Sequence, residues 1–250
     1  NNMHYLGEMY FFRAYIYYTK LVALGDFPIL KQWISEDYET VREASKRRPR
    51  NEVARFILQD LDSAYYYMKT TAPMSNRLNK DCAALLKSRV ALFEGTWEKY
   101  HKGTARVPGG PGWPGAEKDY LKDFTIDIDS EIKFFLTEAK EAAQIVADKY
   151  PLFNDYPSLF NSQSLSNASE VLLWRAYDAS LTPSVNHFVV GYIQRNGGGN
   201  TGWTRSMMQT YLMENGLPIY AGNSGYQGDK SYEAVARSEE RRVGKECRSR

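Results

Sequence analysis

Three sets of residues have types and spacings that could support chemistry. The first is Gly197-Gly198-Gly199-Asn200-Thr201-Gly202, a literal G-x-G-x-x-G between a possible strand, Phe188 to Ile193, and a short helical stretch, Ser206 to Met213. A dinucleotide site on that pattern also needs a βαβ unit of about 30 residues and an acid some 20 residues on. The surrounding chain is mostly helical in pattern and supplies no second parallel strand, so a surface loop is the better reading. The second set is Asp127 and Asp129, a carboxylate pair flanking Ile128. Residues two apart on an extended segment point the same way, without the flanking architecture of glycoside hydrolysis, and a helix cap and a solvated turn are the expected roles. The third set is His4, His101 and His187, which are far apart, with no H-E-x-x-H and no second ligand at helical spacing, so no metal or cofactor is expected.

What remains is binding. Flat aromatics with amide or guanidinium groups nearby suit a ligand that has an apolar face and polar edges, as a sugar ring does. Two loops offer this. One carries Tyr192, Arg195, Asn196, Asn200 and Trp203; the other is the Pro/Gly run Val107 to Gly115, which carries Trp113. Trp113 and Trp203 are set among glycines, where exposure and packing are both open, whereas Trp97, Tyr100 and Trp174 lie on periodic elements and are expected in the core.

Composition sets wide bounds. A chain of 250 residues, 43% hydrophobic and 14% aromatic, has ample material for a core. A formal charge of +2 gives no field that suggests nucleic acid. The last stretch, Arg237 to Arg250, holds six basic and three acidic residues, so without it the charge falls to −1. It has no apolar period and reads as the translation of a sequencing adapter, so it is expected to be non-native. Without Cys247 in that tail, Cys82 stands alone and is expected to be a small core residue near a helix start. The chain opens on Asn1-Asn2, with no initiator Met, basic region or apolar leader, and is expected to be an internal piece of a longer protein.

The elements that position these residues are helical. The stretch Gly7 to Leu24, with Leu6 just ahead of it, has Leu6, Met9, Tyr10, Arg13, Ala14, Tyr17, Leu21 and Leu24 at intervals of three or four, with Phe11, Phe12, Tyr15 and Tyr18 filling the gaps. A helix apolar on most of its circumference is expected to lie buried among others, and Glu8, Arg13 and Lys20 argue for a protein core over a bilayer. Glu8 and Arg13 are too far round the helix to pair, so each is expected to find a partner elsewhere. Gly25 and Pro28 end the helix. After a polar connection, Lys31 to Arg48, a second helix opens at Pro49 with the stripe Val53, Phe56, Ile57, Leu61, Ala64, Tyr65 and Met68. A third, Asp81 to Tyr100, is capped by Asp81 or Asn79, with Leu86, Val90, Phe93, Trp97 and Tyr100 inward; a fourth, Ser130 to Lys149, is capped by Asp129 or Ser130, with Ile132, Phe135, Leu136, Ala139, Ala142, Ala143 and Val146 inward. Between them, 102–129 loses the helical period. Beyond Pro151 the pattern turns to loops and short strands, including Val171 to Trp174, and Glu214 to Ile219 reads as a turn.

Gly7, Glu8, Phe11, Arg13, Ala14 and Tyr17, followed by Leu21, Gly25, Asp26 and Pro28, form a G-E-x-x-F-x-R-A-x-x-Y … L-x-x-x-G-D-x-P pattern that resembles the signature of the SusD/RagB family. Further matches are Ile57, Asp60, Leu61 and Ala64 in the second helix, the run Arg77 to Phe93 ahead of Trp97 in the third, Asn167, Ser169, Glu170 and Val171, and the Asn215-Gly216-x-Pro218-Ile219 step.

The resemblance implies a mainly α fold of tetratricopeptide-like helical hairpins (SusD-like). A helical region would occupy 1–150, with the Pro/Gly loop at 102–129, and an irregular loop and short-strand lobe of the same domain would occupy 151–236. It implies non-catalytic binding of oligo- or polysaccharide at the cell surface of a Bacteroidota species. It also implies a lipid anchor on the outer face of the outer membrane and delivery of the glycan to a TonB-dependent, SusC-like transporter. The family's binding residues sit on variable loops, so the aromatics named above are local choices. A protein-interaction scaffold without sugar binding is the alternative, and a glycoside hydrolase a lesser one.

Overall fold

In the computed structural model, residues 2–73, 77–162, 164–174 and 204–228 are described. The chain divides into two compact units, Asn1–Tyr177 and Asp178–Arg250. Among the described residues the first unit is built from α1 (Asn2–Leu24), α2 (Tyr38–Ala44), α3 (Arg50–Tyr67), α4 (Lys80–His101), α5 (Ile128–Ala147) and α6 (Tyr156–Asn161), with two short 3₁₀ helices, Pro114–Glu117 and Asp119–Leu121.

The four long helices pack in series, α1 on α3, α3 on α4, and α4 on α5. Each pair runs antiparallel. Gly7 near the start of α1 meets Ala64 and Met68 at the end of α3, and Asp26 just past α1 meets Arg50 at the start of α3. Arg50 reaches Glu94 late in α4, while Lys87 earlier in that helix reaches Asp62. Lys102 beyond α4 meets Asp129 in the first turn of α5, and Asp81 at the start of α4 meets Lys149 beyond α5. This serial up-and-down order is the helical-hairpin array that the mainly α, tetratricopeptide-like expectation describes.

The core is a single cluster running from Phe11, Ala14, Tyr17 and Leu21 through Val53, Ile57, Leu61 and Ala64 to Val90, Ala91, Phe135 and Ala139. Close approach sets the small residues. A Cβ on Gly7 would stand 2.6 Å from the Met68 side chain, and one on Gly95 would stand 3.0 Å from Leu136. Cys82 is buried, and burial pushes its thiol pKa up, as a small core residue requires.

The expected stripes of α3 and α5 face inward, whereas α1 and α4 differ from expectation. One face of α1 packs on α3, but Leu6, Met9, Phe12, Ile16, Val22 and Leu24 are exposed, so the helix is not enclosed on all sides. On α4 the position expected of Tyr100 is taken by Glu98, which has no exposed surface, and Tyr100 is 77% exposed. Positions 91, 94, 95 and 98 form the face wedged between α3 and α5, and that face carries Ala, Glu, Gly and Glu.

Side-chain oxygens cap α4 and α5. Asn79 caps α4 by accepting from Cys82 N, and Asp127, in place of Asp129 or Ser130, caps α5 by accepting from Asp129 N and Ser130 N. Asp129 itself pairs with Lys102. The pair of acids therefore has the expected cap-and-turn role. Gly25, at φ +71°, closes α1 by donating its N–H to Leu21 O at 2.9 Å.

The polar connection holds α2, capped by Asp37, which no apolar stripe announced. It returns through an isolated antiparallel bridge between Phe27 and Arg48, which sets the start of α3 beside the end of α1. Val171 to Trp174 carries no strand; Val171 N–H closes a turn on Ala168 O, and Leu172 packs on the core cluster. A strand there would need a pairing neighbour, and among the described residues only isolated bridges occur.

In the second unit, α7 (Arg205–Gln209) precedes a turn in which Met213 N–H donates to Leu217 O at 2.8 Å and Gly216 adopts φ +76°. That is the turn expected at Glu214 to Ile219. Phe188 to Ile193, the glycine-rich run 197–202 and the tail Arg237 to Arg250 lie outside the described residues. No helix among the described residues is long and apolar enough to cross a membrane.

Candidate functional site

The polar residues of the first helix find the partners their spacing demanded. Arg13 forms a bidentate pair with Asp60 of α3, both contacts at 2.7 Å, with Tyr10 and Phe56 under its guanidinium. Buried Glu8 accepts from Arg77 in the segment before α4 and lies 3.3 Å from His4 Nε2. His4 Nδ1 accepts from Lys69 N–H, which turns Nε2 toward Glu8. These are tethers between elements.

A denser group gathers at the other end of the bundle. Arg50, 4% exposed, forms two 2.7 Å hydrogen bonds to Glu94, and its guanidinium lies 4.3 Å from the centre of the Trp97 ring. Burial pushes the Glu94 carboxyl pKa up while Arg50 pulls it down. One turn further on, Glu98 is also fully buried, yet neither carboxyl oxygen has a hydrogen-bond partner. Burial first, then the neighbouring Glu94 and Glu131, raise its pKa to about 9, against the pull of Arg50 and Arg55. Glu98 is therefore a neutral acid at pH 7.

Asp26 joins this group to the Pro/Gly loop. Its Oδ1 accepts from Arg50 N–H at 2.9 Å, serving the start of α3 where Pro49 has no capping side chain. Its Oδ2 accepts from the Trp113 indole N–H, also at 2.9 Å. Burial raises the Asp26 pKa, and these two donors oppose the rise.

Trp113 is packed into the loop. It is 5% exposed, stands 5.3 Å from the Phe124 ring, and lies so close to Gly115 that a Cβ there would be 2.1 Å from the indole. Of the two openings left by the sequence, packing is the one observed, because Asp26 offers the buried indole a hydrogen-bond acceptor.

The loop closes one side of a cavity of about 580 Å³, whose other walls come from the last turn of α1, the segment entering α3, and α4 at Trp97. Arg47, Arg106 and Lys118 line it and are exposed, whereas Asp26 is the only acid lining it among the described residues. Among the described residues no group of three or more His, Cys, Asp or Glu side chains is placed to hold a metal ion.

Of the six residues expected to contact ligand, Trp113 is thus placed at the cavity wall, with its ring covered. Tyr192, Arg195, Asn196, Asn200 and Trp203 lie outside the described residues. The cavity's cations were not singled out from the sequence; Arg47 sits in the visible run Lys46-Arg47-Arg48, whereas Arg106 and Lys118 are separated by the loop that brings them back.

The solved structure of a SusD-like protein from Bacteroides fragilis matches this chain with a TM-score of 0.51 and 18% identity, over 85% of this chain and 36% of its own. The fold is SusD-like. The chain thus spans about a third of the length of that relative. No family model and no curated protein sequence matches it.

Proposed function

We propose that the chain is part of a non-catalytic glycan-binding protein that takes up oligo- or polysaccharide at the cell surface and passes it to a TonB-dependent, SusC-like transporter in the outer membrane, where a lipid anchor holds it. The observation that carries this reading is the SusD-like helical array, together with its match to a solved SusD-like protein. The candidate ligand contacts on the second unit are Tyr192, Arg195, Asn196, Asn200 and Trp203, an aromatic-and-amide set of the kind a sugar face takes.

The test is a panel of neutral and acidic oligosaccharides titrated into the protein by calorimetry and tryptophan fluorescence. Saturable binding to at least one glycan, with no release of reducing ends on long incubation, supports the reading. Steady release of reducing ends places the protein among glycoside hydrolases instead, and no binding across the panel favours an interaction scaffold.

The exposed apolar stripe of α1 supports a role in protein contact, since Leu6, Met9, Phe12 and Ile16 lie on one side of a helix whose other side is already packed. The transporter is the partner in this reading. Replacing Phe12 and Ile16 together by Ser is expected to abolish co-purification with the barrel; unchanged co-purification removes α1 from the interface.

A further inference from the structure

The cavity beside Trp113 presents unspent positive charge and few free aromatic faces. The side chains of Arg47 and Lys118 line it with no ion pair or hydrogen bond among the described residues, and Arg47 acts on Asp26 only through its charge at longer range. Arg106 spends one nitrogen on His101 Nε2 at 3.2 Å and pairs with no acid among the described residues. Arg50 is neutralised by Glu94, and the two carboxylate oxygens of Asp26 already accept from Arg50 N–H and Trp113. Three cations thus face a space in which the one acid is occupied.

The rings around the cavity are engaged by the protein itself. Arg50 and His101 lie against Trp97, the latter stacked at 4.2 Å; Lys46 lies 5.4 Å from the centre of the Tyr120 ring; Trp113 is covered by Phe124 and Gly115. A neutral pyranose needs a bare ring to stack on, and each of these rings already has a partner within the protein. What the cavity offers an incoming group is guanidinium and ammonium donors at its rim, the chemistry that recognises a carboxylate or sulfate. Its volume, about 580 Å³, falls within the usual range of small-molecule sites of roughly 300–1,000 Å³.

We infer that this cavity is a binding site for an anionic saccharide unit, a uronate or a sulfated sugar, held by Arg47, Arg106 and Lys118. The identity of the ligand as a sugar rests on the glycan-binding reading above. The charge on it rests on the cavity alone. Asp26, the acid lining the cavity, has both oxygens turned to protein donors, Arg50 N–H and the Trp113 indole, so neither is left to meet the ligand.

The experiment is calorimetric titration of the full chain with oligogalacturonate, a sulfated galactan oligosaccharide, a neutral galactan oligosaccharide of equal length and a poly-glutamate peptide, on the wild type and on Arg47→Gln, Lys118→Gln and the double variant. Both side chains are exposed and unpaired, so the variants are expected to fold, which circular dichroism and the melting temperature check. The expected result is that an acidic oligosaccharide binds more tightly than the neutral one. Each single variant should then lose roughly tenfold in affinity, the double variant more, and the wild type should weaken as salt rises.

Binding of the neutral oligosaccharide with no preference for the acidic ones, or acidic binding unchanged in the double variant, overturns the inference and leaves the glycan-binding reading standing. Binding of poly-glutamate alone, lost in the double variant, also overturns it and turns the cavity into a peptide site. No binding of any saccharide overturns both readings together.

Discussion

The four-helix array and the loop at 102–127 bury comparable aromatic and apolar side chains by opposite means. In the helices, burial follows from period: residues three and four apart share a face, and the faces of α1, α3, α4 and α5 meet. The loop has no such period. Its backbone turns back every third residue, with Thr104 N–H on His101 O, Val107 on Thr104, Gly110 on Val107, Trp113 on Gly110 and Ala116 on Trp113. Those turns need glycine where the chain touches itself, and they enclose Val107, Trp113 and Leu121 at 2%, 5% and 6% exposure. A long stretch rich in Pro and Gly is thus a packed structure here, because successive turns satisfy its backbone and one indole supplies the bulk.

The strongest way to break the comparison is at the pair where the helices hold buried charge. Arg50→Ala leaves the Glu94 carboxylate buried without its bidentate partner and removes the cation beside Trp97. The expected loss is about 3–5 kcal/mol of folding stability, read by urea or guanidinium unfolding. If instead the variant loses under about 1 kcal/mol, the pair does not hold α3 to α4, and the helices depend on apolar contact alone.

Next in size is Glu98, the buried acid with no partner. Its folded pKa of about 9 lies above the ordinary 4.5, so between those values the unfolded chain releases a proton that the folded chain keeps. Stability contributed at this position is therefore lost as pH rises from about 4.5 toward about 9, with Glu94, Glu131, Arg50 and Arg55 facing the group. Glu98→Gln keeps the shape and removes the proton release. It is expected to stabilise the protein by roughly 2–3 kcal/mol at pH 7 and by little near pH 4. Parallel unfolding curves for the two proteins across pH 4–9 would mean that Glu98 is ionised and paired.

Much of the helical part was legible in the sequence, and the reason lies in the residues. Val53, Ile57, Leu61 and Ala64 on α3, and Phe135, Ala139, Ala142 and Val146 on α5, recur at helical spacing and all are buried. The resemblance pattern was informative for packing: Gly7 permits close approach to Met68, Arg13 pairs with Asp60, and Asp26 serves the start of α3. Period alone misplaced Tyr100, because it cannot see that α3 and α5 meet α4 at Glu94 and Glu98. It misjudged α1, because a helix apolar all round does not say which side has a neighbour. The cavity was not legible at all: Asp26 and Trp113 are 87 residues apart, and what joins them is a buried indole N–H needing an acceptor.

The glycines separate contact from conformation. A Cβ on Gly110 would stand 2.0 Å from Thr104 O, a backbone atom that cannot swing away. Gly103, at φ +78°, has nothing within 4 Å of the added carbon. Gly110→Ala is therefore expected to cost about 1–3 kcal/mol and to loosen the loop, seen as quicker amide exchange at Val107 and Trp113. Gly103→Ala should cost only about 1 kcal/mol, the strain of a left-handed backbone, with exchange in the loop unchanged. Equal effects from the two would mean that the turns are not tightly wound.

The last change acts on the hydrogen bond that ties the loop's indole to Asp26 beside the start of α3. Trp113→Phe keeps an aromatic ring against Phe124 and Gly115 but removes the donor to Asp26 Oδ2. Stability should fall by about 1–2 kcal/mol, the cost of a buried acceptor losing its partner. The Asp26 pKa, already raised by burial and held back by the Trp113 and Arg50 donors, should rise further, which carbon NMR of the carboxyl group reads directly. The α3 start keeps its own hydrogen bond from Arg50 N–H to Asp26 Oδ1, so amide exchange in α3 should stay slow while exchange in the loop quickens. If α3 loosened as well, the loop would be part of the same cooperative unit as the helices, and the difference between the two regions would be one of construction without being one of stability.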